Sequence, residues 1–288
     1  VGPLVAEHEG SWVALAELPE RERSRLSWLE GLAPAATAAT ASLPFQPRSF
    51  RDCMLYEQHW VDSSRGYARR FMPLVHRLSQ VYEGLARQPF PPFRPHRLAR
   101  RQPIYYFGNH LTFVASGTPI RCPSYARALD YELELGFVLK SDLLNASERE
   151  AEQAIGGVVV INDWTLRDIQ REEMQTGMGP QKSKHFMSSM SSTLVSAEAV
   201  LPRIDALAAR VEINGKLVCE TSSRGMAFSP GALLAHLSKD EPLQAGELIA
   251  TGTLPGGSGM ENGGWLRTGD HLRLVVDGVG EITHTVMG

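Results

Sequence analysis

Three acidic side chains stand at every second position in Leu129-Asp-Tyr-Glu-Leu-Glu-Leu135. Side chains alternate between faces along a strand, so Asp130, Glu132 and Glu134 share one face and Tyr131, Leu133 and Leu135 the other. Carboxylates in a row repel one another unless water or a cation lies between them. The pattern therefore has two readings. One is the solvent-facing side of a half-buried sheet; the other is an oxygen-ligand site suited to Mg2+, Mn2+ or Ca2+ rather than zinc. A second segment bears on the choice. The apolar run Val158–Ile161 passes through Asn162 to Asp163, which sets an acid at the edge of the core, where an unpaired carboxylate is costly. A cation shared with Glu132 and Glu134 removes that cost. The competing role for Asp163 is the N-cap of a helix over Trp164–Glu173, and residue chemistry alone leaves both open.

Several elements are available to position these groups. Arg65–Tyr82 has a helical pattern in which Pro73 starts or kinks a turn, and Pro89–Pro95 reads as a proline-rich crossing loop. Ser147-Glu-Arg-Glu150 fits a capping box, with Gly156-Gly157 expected to end that helix. Val158–Asp163 is a buried strand feeding a polar site. Arg210–Ile213, Asn214-Gly215 and Leu217–Glu220 form a hairpin signal, repeated by His271–Val276, Asp277-Gly278 and Gly280–Val286. Strands and turns dominate over a few helices, which predicts an α+β fold with a curled, mainly antiparallel sheet. The Ala/Thr-rich stretch Leu32–Leu43 reads as a linker. That divides the chain into a small N-terminal segment and linker, 1–45, and a main domain, 46–288; no internal repeat is visible.

Composition narrows the function classes. With 29 Lys plus Arg against 32 Asp plus Glu, charge gives no case for nucleic acid or an anionic membrane as partner. The basic cluster Arg94–Arg101 is broken by Pro95 and reads as a solvated loop. Cys53, Cys122 and Cys219 show neither zinc spacing nor a disulfide framework, so a reducing cytoplasm is expected. No apolar run approaches the roughly 18 residues of a membrane span, and the start at Val1 shows no signal-peptide layout.

An ordered set of segments resembles the fumarylacetoacetate hydrolase family from about Phe50 to the C-terminus. Asp52-Cys-Met-Leu-Tyr-Glu-Gln-His59 is similar to its opening block, in which an Asp ligand precedes a catalytic His. Pro103–Pro123 resembles the next block, with Tyr106 at a substrate-contacting tyrosine. Glu132 and Glu134 fall on a Glu-x-Glu ligand pair, and Asn162–Gln170 on the block with the last ligand, an Arg and a Gln. Gly179-Pro180 with Lys184 and Phe186 resembles a lysine segment, and Thr251-Gly-Thr253 and Gly259-Met-Glu261 a substrate threonine and the Glu that partners the His. The resemblance implies metal ligands Asp52, Glu132, Glu134 and Asp163 around Mg2+ or Ca2+, with Mn2+ also admissible. It implies catalytic His59, Glu261, Lys184 and Arg167, and substrate contacts from Gln170, Tyr106, Thr253, Met54 and Met174. It also implies a mixed β-roll and a homodimer.

The expected reaction is metal-assisted hydrolysis of a carbon–carbon bond in a β-diketone or acylpyruvate-like acid. Cleavage between two carbonyls leaves a carbanion that must be delocalised as an enolate, which a hard cation stabilises. His59 oriented by Glu261 is the expected base for water; donors such as Arg167, Gln170 and Lys184 contribute about 3 kcal/mol each to such charge. Taken singly, each has a plainer role: a structural histidine, a solvated Glu261 in the glycine-rich loop, surface charges at Lys184 and Arg167, helical filler at Gln170. Met54 and Met174 stand where fumarylacetoacetate-cleaving members carry tyrosines, so a less polar or differently shaped substrate is expected. A decarboxylase, dehydratase or enol–keto isomerase using the same site is the second reading, and a non-catalytic protein stapled by its cation the third.

Overall fold

A computed structural model describes residues 4–8, 11–14, 18–28 and 43–288, in which seventeen strands combine with eight α-helices. The linker expected over Leu32–Leu43 lies outside the described residues except for Leu43. In chain order the strands are β1 (Leu4–His8), β2 (Ser11–Ala14), β3 (Phe50–Cys53), β4 (Tyr105–Gly108), β5 (Phe113–Ala115), β6 (Ile120–Arg121), β7 (Leu129–Asp130), β8 (Leu133–Leu139), β9 (Ile155–Asn162) and β10 (Thr165–Leu166). There follow β11 (Ser188–Met190), β12 (Val195–Ser196), β13 (Ala208–Ile213), β14 (Lys216–Ser222), β15 (Leu248–Ala250), β16 (His271–Val276) and β17 (Gly280–Met287). The helices are α1 (Glu20–Leu26), α2 (Glu57–Phe71), α3 (Pro73–Ala86), α4 (Glu148–Gln153), α5 (Arg167–Gln175), α6 (Ala197–Val200), α7 (Pro230–Leu237) and α8 (Gly259–Asn262).

One sheet runs β4-β3-β15-β8-β9-β11-β5 with β12 also on β9, and a second runs β14-β13-β16-β17-β6. Pairing is antiparallel except at β15–β3, β11–β5 and β17–β6. This is the α+β, mainly antiparallel architecture expected from the strand-and-turn pattern. The hairpin β13–β14 turns at Asn214 and Gly215, both with positive φ (54° and 72°), as the inverse turn that suits twisted strands requires.

The central strands are buried on both faces. Leu133, Leu135, Phe137 and Leu139 of β8 face one core with Val158 and Val160, while Val138, Val159 and Ile161 face the other. Each fully buried side chain of this size contributes about 1.5–3 kcal/mol. Leu18 and Phe45 are buried in the second core beside Phe50 and Phe113, so residues before position 46 share its packing.

Three local expectations change. The capping box at Ser147 and Glu150 is present, but its helix ends at Gln153, and Gly156 and Gly157 lie inside β9. A Cβ at these two glycines would stand 2.4 Å from the Trp28 ring and 2.3 Å from Leu194; they are small to admit neighbours, not to stop a helix. The helix expected from Arg65 begins at Glu57, and the chain breaks at Met72 before Pro73 opens α3. Finally, α5 begins at Arg167 with Leu166 as its N-cap, so Asp163 caps nothing.

Candidate active site

The acid ladder is not a solvent face. Asp130 is 0% exposed, Glu132 5% and Glu134 1%, because the sheet that carries them is covered on both sides. The ladder is also irregular: β7 ends at Asp130, Glu132 makes a lone bridge to Ser258, and β8 starts at Leu133. The Glu132 amide donates to Asn162 Oδ1 (2.8 Å), and the Asp163 amide donates to the Glu132 carbonyl (3.1 Å). These two bonds bring Glu132 and Asp163 together. On β3, Asp52 pairs in register with Tyr106 of β4 and Ala250 of β15. Tyr106 Oη lies 2.9 Å from Asp52 Oδ2 and 2.6 Å from Asp163 Oδ2, and so bridges the two acids. Thr253, just past β15, donates to Glu134 Oε1 at 3.2 Å. All four acids thus converge from β3, the β7–β8 junction, β8 and the end of β9.

Positive charge enters the cluster at two points. Lys184 Nζ donates to both Glu132 and Asp163. Arg167 donates through Nη2 to Glu132 Oε1 (2.7 Å), through Nε to Asp130 Oδ2 (2.8 Å) and through Nη1 to Gln170 Oε1 (3.1 Å). Both cations are buried, which removes the surface-charge alternative. Burial lowers both pKa values, but carboxylate neighbours outweigh it and leave a net rise: Asp163, Glu132 and Asp52 for Lys184, Glu132 and Asp130 for Arg167. Glu132 is pulled down to about 2: burial opposes ionisation, but Lys184, Arg167 and His59 outweigh it. Burial and then repulsion from Asp163 push Asp52 well up; burial with Asp52 and Asp163 does the same to Glu134. Glu134 Oε2 is buried with no hydrogen-bond partner.

Five carboxyl groups, Asp52, Asp130, Glu132, Glu134 and Asp163, thus meet two permanent cations, Lys184 and Arg167; burial and this surplus of acids favour the neutral forms of Asp52 and Glu134, which a bound cation would ionise. The donor set is all oxygen, the chemistry of Mg2+, Ca2+ or Mn2+, and Glu134 keeps a free oxygen. Among the described residues no three acidic, histidine or cysteine groups are spaced as a finished cation cage; an ammonium and a phenol hold the carboxylates instead. The residues fit a divalent ion in charge and type.

His59 lies on the first turn of α2 and is 2% exposed. Its Nδ1 stands 2.9 Å from Glu261 Oε2, an ion-pair separation off the line of a hydrogen bond. Burial lowers the imidazole pKa, but Glu261 and then Glu132 outweigh it, leaving a net rise. Far from being solvated, the Glu261 side chain is 2% exposed and forms part of the α8 capping box: its Oε2 accepts from Ser258 N and Oγ, and its Oε1 from Gly256 N. Helix α2 reaches α8 because residue 66 is glycine. A Cβ there would stand 1.8 Å from the Met260 carbonyl oxygen.

A family model described as fumarylacetoacetate (FAA) hydrolase C-terminal matches residues 83–287. The chain belongs to the fumarylacetoacetate hydrolase family. Similar proteins include the mitochondrial oxaloacetate tautomerase FAHD1 of Mus musculus, 29% identical over 178 residues, covering 62% of this chain and 78% of the relative. Oxaloacetate tautomerase YisK of Bacillus subtilis is 33% identical over 186 residues, covering 64% of this chain and 61% of its own length. Among solved structures, fumarylpyruvate hydrolase from Pseudomonas aeruginosa in complex with Mn2+ and pyruvate aligns with a TM-score of 0.62 at 19% identity, covering 89% of this chain and 94% of that one; this likeness shows a shared fold.

Of the residues that the resemblance to fumarylacetoacetate hydrolases singled out, the structure links Asp52, Glu132, Asp163, Lys184, Arg167, Gln170 and Tyr106 by direct contacts, with the bonded pair Glu134 and Thr253 and the pair His59 and Glu261 beside them. Tyr106 and Thr253, expected to touch substrate, each bond to acids of the cluster. Met174 is 53% exposed on α5, outside the buried group, and Met54 is half-buried just past β3. Three contributors were missed. Ser188 donates to Asp163 Oδ1 (3.0 Å). Glu173 accepts from the amides of Gln181, Lys182 and Ser183 and from Ser183 Oγ, and so fastens the Lys184 segment to α5. Asp130, seen as part of the ladder but given no role, receives Arg167. For Asp130 the alternation itself was the signal; for Ser188 and Glu173 the sequence carried none.

Proposed function

We propose that this chain is a divalent-cation-dependent enzyme that draws an enolate from a small β-diketo or 2-oxo acid, and that its reaction is hydrolysis of the carbon–carbon bond between two carbonyls. The observation that carries the reading is the His59–Glu261 pair, with both side chains buried, set beside a cluster that holds more carboxyl groups than Lys184 and Arg167 can pair. Asp52, Glu132, Glu134 and Asp163 would hold the cation, as Mg2+, Ca2+ or Mn2+. When bound, it supplies Lewis-acid stabilisation of the enolate oxygen.

The chain's own residues do the rest. Glu261 fixes the His59 ring through its Nδ1 side, leaving Nε2 to take a proton from water. Arg167 and Lys184 bring positive charge to the oxygen on which negative charge develops, and burial strengthens that attraction by excluding water. Gln170 fixes one arm of Arg167. Met54 beside the site removes a phenolic donor from the substrate's surroundings.

The test is a screen of acylpyruvates, other small β-diketo acids and oxaloacetate with added Mg2+, Mn2+ or Ca2+, followed by identification of the products. Hydrolysis that needs the cation and is lost in His59→Ala supports the reading. No consumption of any such acid by a protein that binds the cation removes it. The second reading is keto–enol interconversion or decarboxylation, and the names of the oxaloacetate tautomerases among its relatives favour it. In that case His59→Ala retains conversion of oxaloacetate, and no cleavage product appears with wild type.

A further inference from the structure

We propose that Asp130 is the positioning residue of the site, a single carboxylate that holds Arg167 and the α8 turn in one register and thereby sets Glu261 against His59. Asp130 is fully buried, and four donors surround it. Oδ1 accepts from the Tyr131 amide (2.9 Å) and the Gly259 amide (2.8 Å); Oδ2 accepts from the Met260 amide (3.0 Å) and Arg167 Nε (2.8 Å). Its acceptor capacity is filled by groups from three separate parts of the chain.

Other contacts also hold α8, since Arg69 donates to the Met260 and Glu261 carbonyls, Tyr131 Oη donates to Asn262 Oδ1 and α2 packs on it at Gly66, but Asp130 is the group that receives its first two amides. That helix is one turn long, and Glu261 is bonded inside it by Ser258 and Gly256. Glu261 therefore moves with the turn, and Asp130 pins the turn by the amides of its first two residues, Gly259 and Met260. On its other side Asp130 takes the Nε edge of Arg167, leaving the remaining guanidinium nitrogens for Glu132 and Gln170. Residue 259 is built for this contact, since a Cβ there would stand 2.5 Å from Asp130 Oδ1. An alanine at that position displaces the carboxylate from the opposite side, which gives a second way to perturb the same contact.

The inference rests on the reading of His59 and Glu261 as a working pair, so the test reads their geometry apart from turnover. In the full chain, the His59 imidazole is titrated by NMR, its resonance assigned by loss in His59→Gln. The charged groups that influence this ring are Glu261, Glu132 and Arg167. Glu261→Gln supplies the reference shift. Asp130→Asn turns an NH2 group toward two of the four donors, and Gly259→Ala pushes the carboxylate away. Both are expected to lower the His59 midpoint in the same direction as Glu261→Gln, by about one pH unit, a tenfold change in proton affinity. Asp130→Asn added to Glu261→Gln should move it no further. Where an oxo acid is turned over, kcat falls in both variants more than KM rises.

An unmoved midpoint together with a lowered melting temperature makes Asp130 a residue of the fold alone and overturns the proposal. If neither variant folds, amide exchange in the wild type takes over: Gly259 and Met260 must be protected like the β8 amides, and exchange at open-loop rates overturns it equally. Should no oxo acid be consumed while the midpoint still follows Asp130, the functional reading fails and the positioning stands.

Discussion

Lys184→Met removes the ammonium that bridges Glu132 and Asp163 and leaves an apolar chain of similar length in its place. Lys184 is 5% exposed, as are its partners to within a few percent, so solvent does little to screen the loss. Breaking a buried pair by deleting one partner costs about 3–5 kcal/mol, because the other charge stays buried and unpaired. For a chain of this size each kcal/mol lowers the melting temperature by about 2–4 °C, so in the presence of a chelator the variant should melt about 6–20 °C below wild type. The same deletion adds one net negative charge to a cluster that already pushes Asp52 and Glu134 upward. Mg2+ or Mn2+ should therefore stabilise the variant more than the wild type. At a hundredfold excess over its Kd a ligand contributes about 2.7 kcal/mol, which recovers half or more of the loss. Differential scanning fluorimetry with and without chelator measures both quantities. A variant that melts within about 2 °C of wild type in chelator, or equal cation-induced shifts in the two proteins, refutes the charge argument.

Other outcomes follow from the same geometry. Glu261→Gln removes the group that raises the His59 pKa against burial; if neutral His59 is the base, the acidic limb of the rate profile moves to lower pH, and an unmoved limb points to another base. His59→Ala should lower kcat by about 10²–10⁴-fold with little change in cation-induced stabilisation, measured by turnover and melting together. Stability against pH has two opposed parts. Asp52 and Glu134, raised in the folded state, favour folding below their ordinary range, and this contribution is lost as pH rises through their raised values. Glu132, lowered from 4.5 to about 2, adds stability above 4.5 that is lost as pH falls toward 2. In chelator the melting temperature should pass through a maximum and decline toward neutral pH, and saturating Mg2+ should flatten the decline; a decline that Mg2+ leaves untouched contradicts the assignment. Gly66→Ala forces α2 from the Met260 carbonyl and should cost about 1–3 kcal/mol in denaturant unfolding, with activity falling alongside.

Much of the fold was legible because strands announce themselves by local chemistry. The run into Asn162-Asp163, the Asn214-Gly215 turn and the capping box at Ser147 each act within a few residues, and each appears in the structure. The errors were also local. Gly156-Gly157 looked like a helix stop, yet its reason is distant, the Trp28 ring and Leu194 packed against the strand. For Asp163 the sequence left a helix cap open beside the ligand role, and only the start of α5 at Arg167 removed the cap.

For the site, alternation along Asp130, Glu132 and Glu134 set the acids on one face, and the ordered motifs pointed to the family. No periodicity says whether such a face meets water. That was decided by layers from distant parts of the chain covering both sides of β8 and β9, which turned three mutually repelling carboxylates into a buried charge needing a partner. Sequence determined which chemical groups were present and their local spacing. Tertiary structure decided which groups meet: His59 with Glu261 across some two hundred residues, Lys184 between two acids, Asp130 beneath Arg167. Burial and contact between distant segments depend on long-range packing, and short-range pattern carries no trace of it.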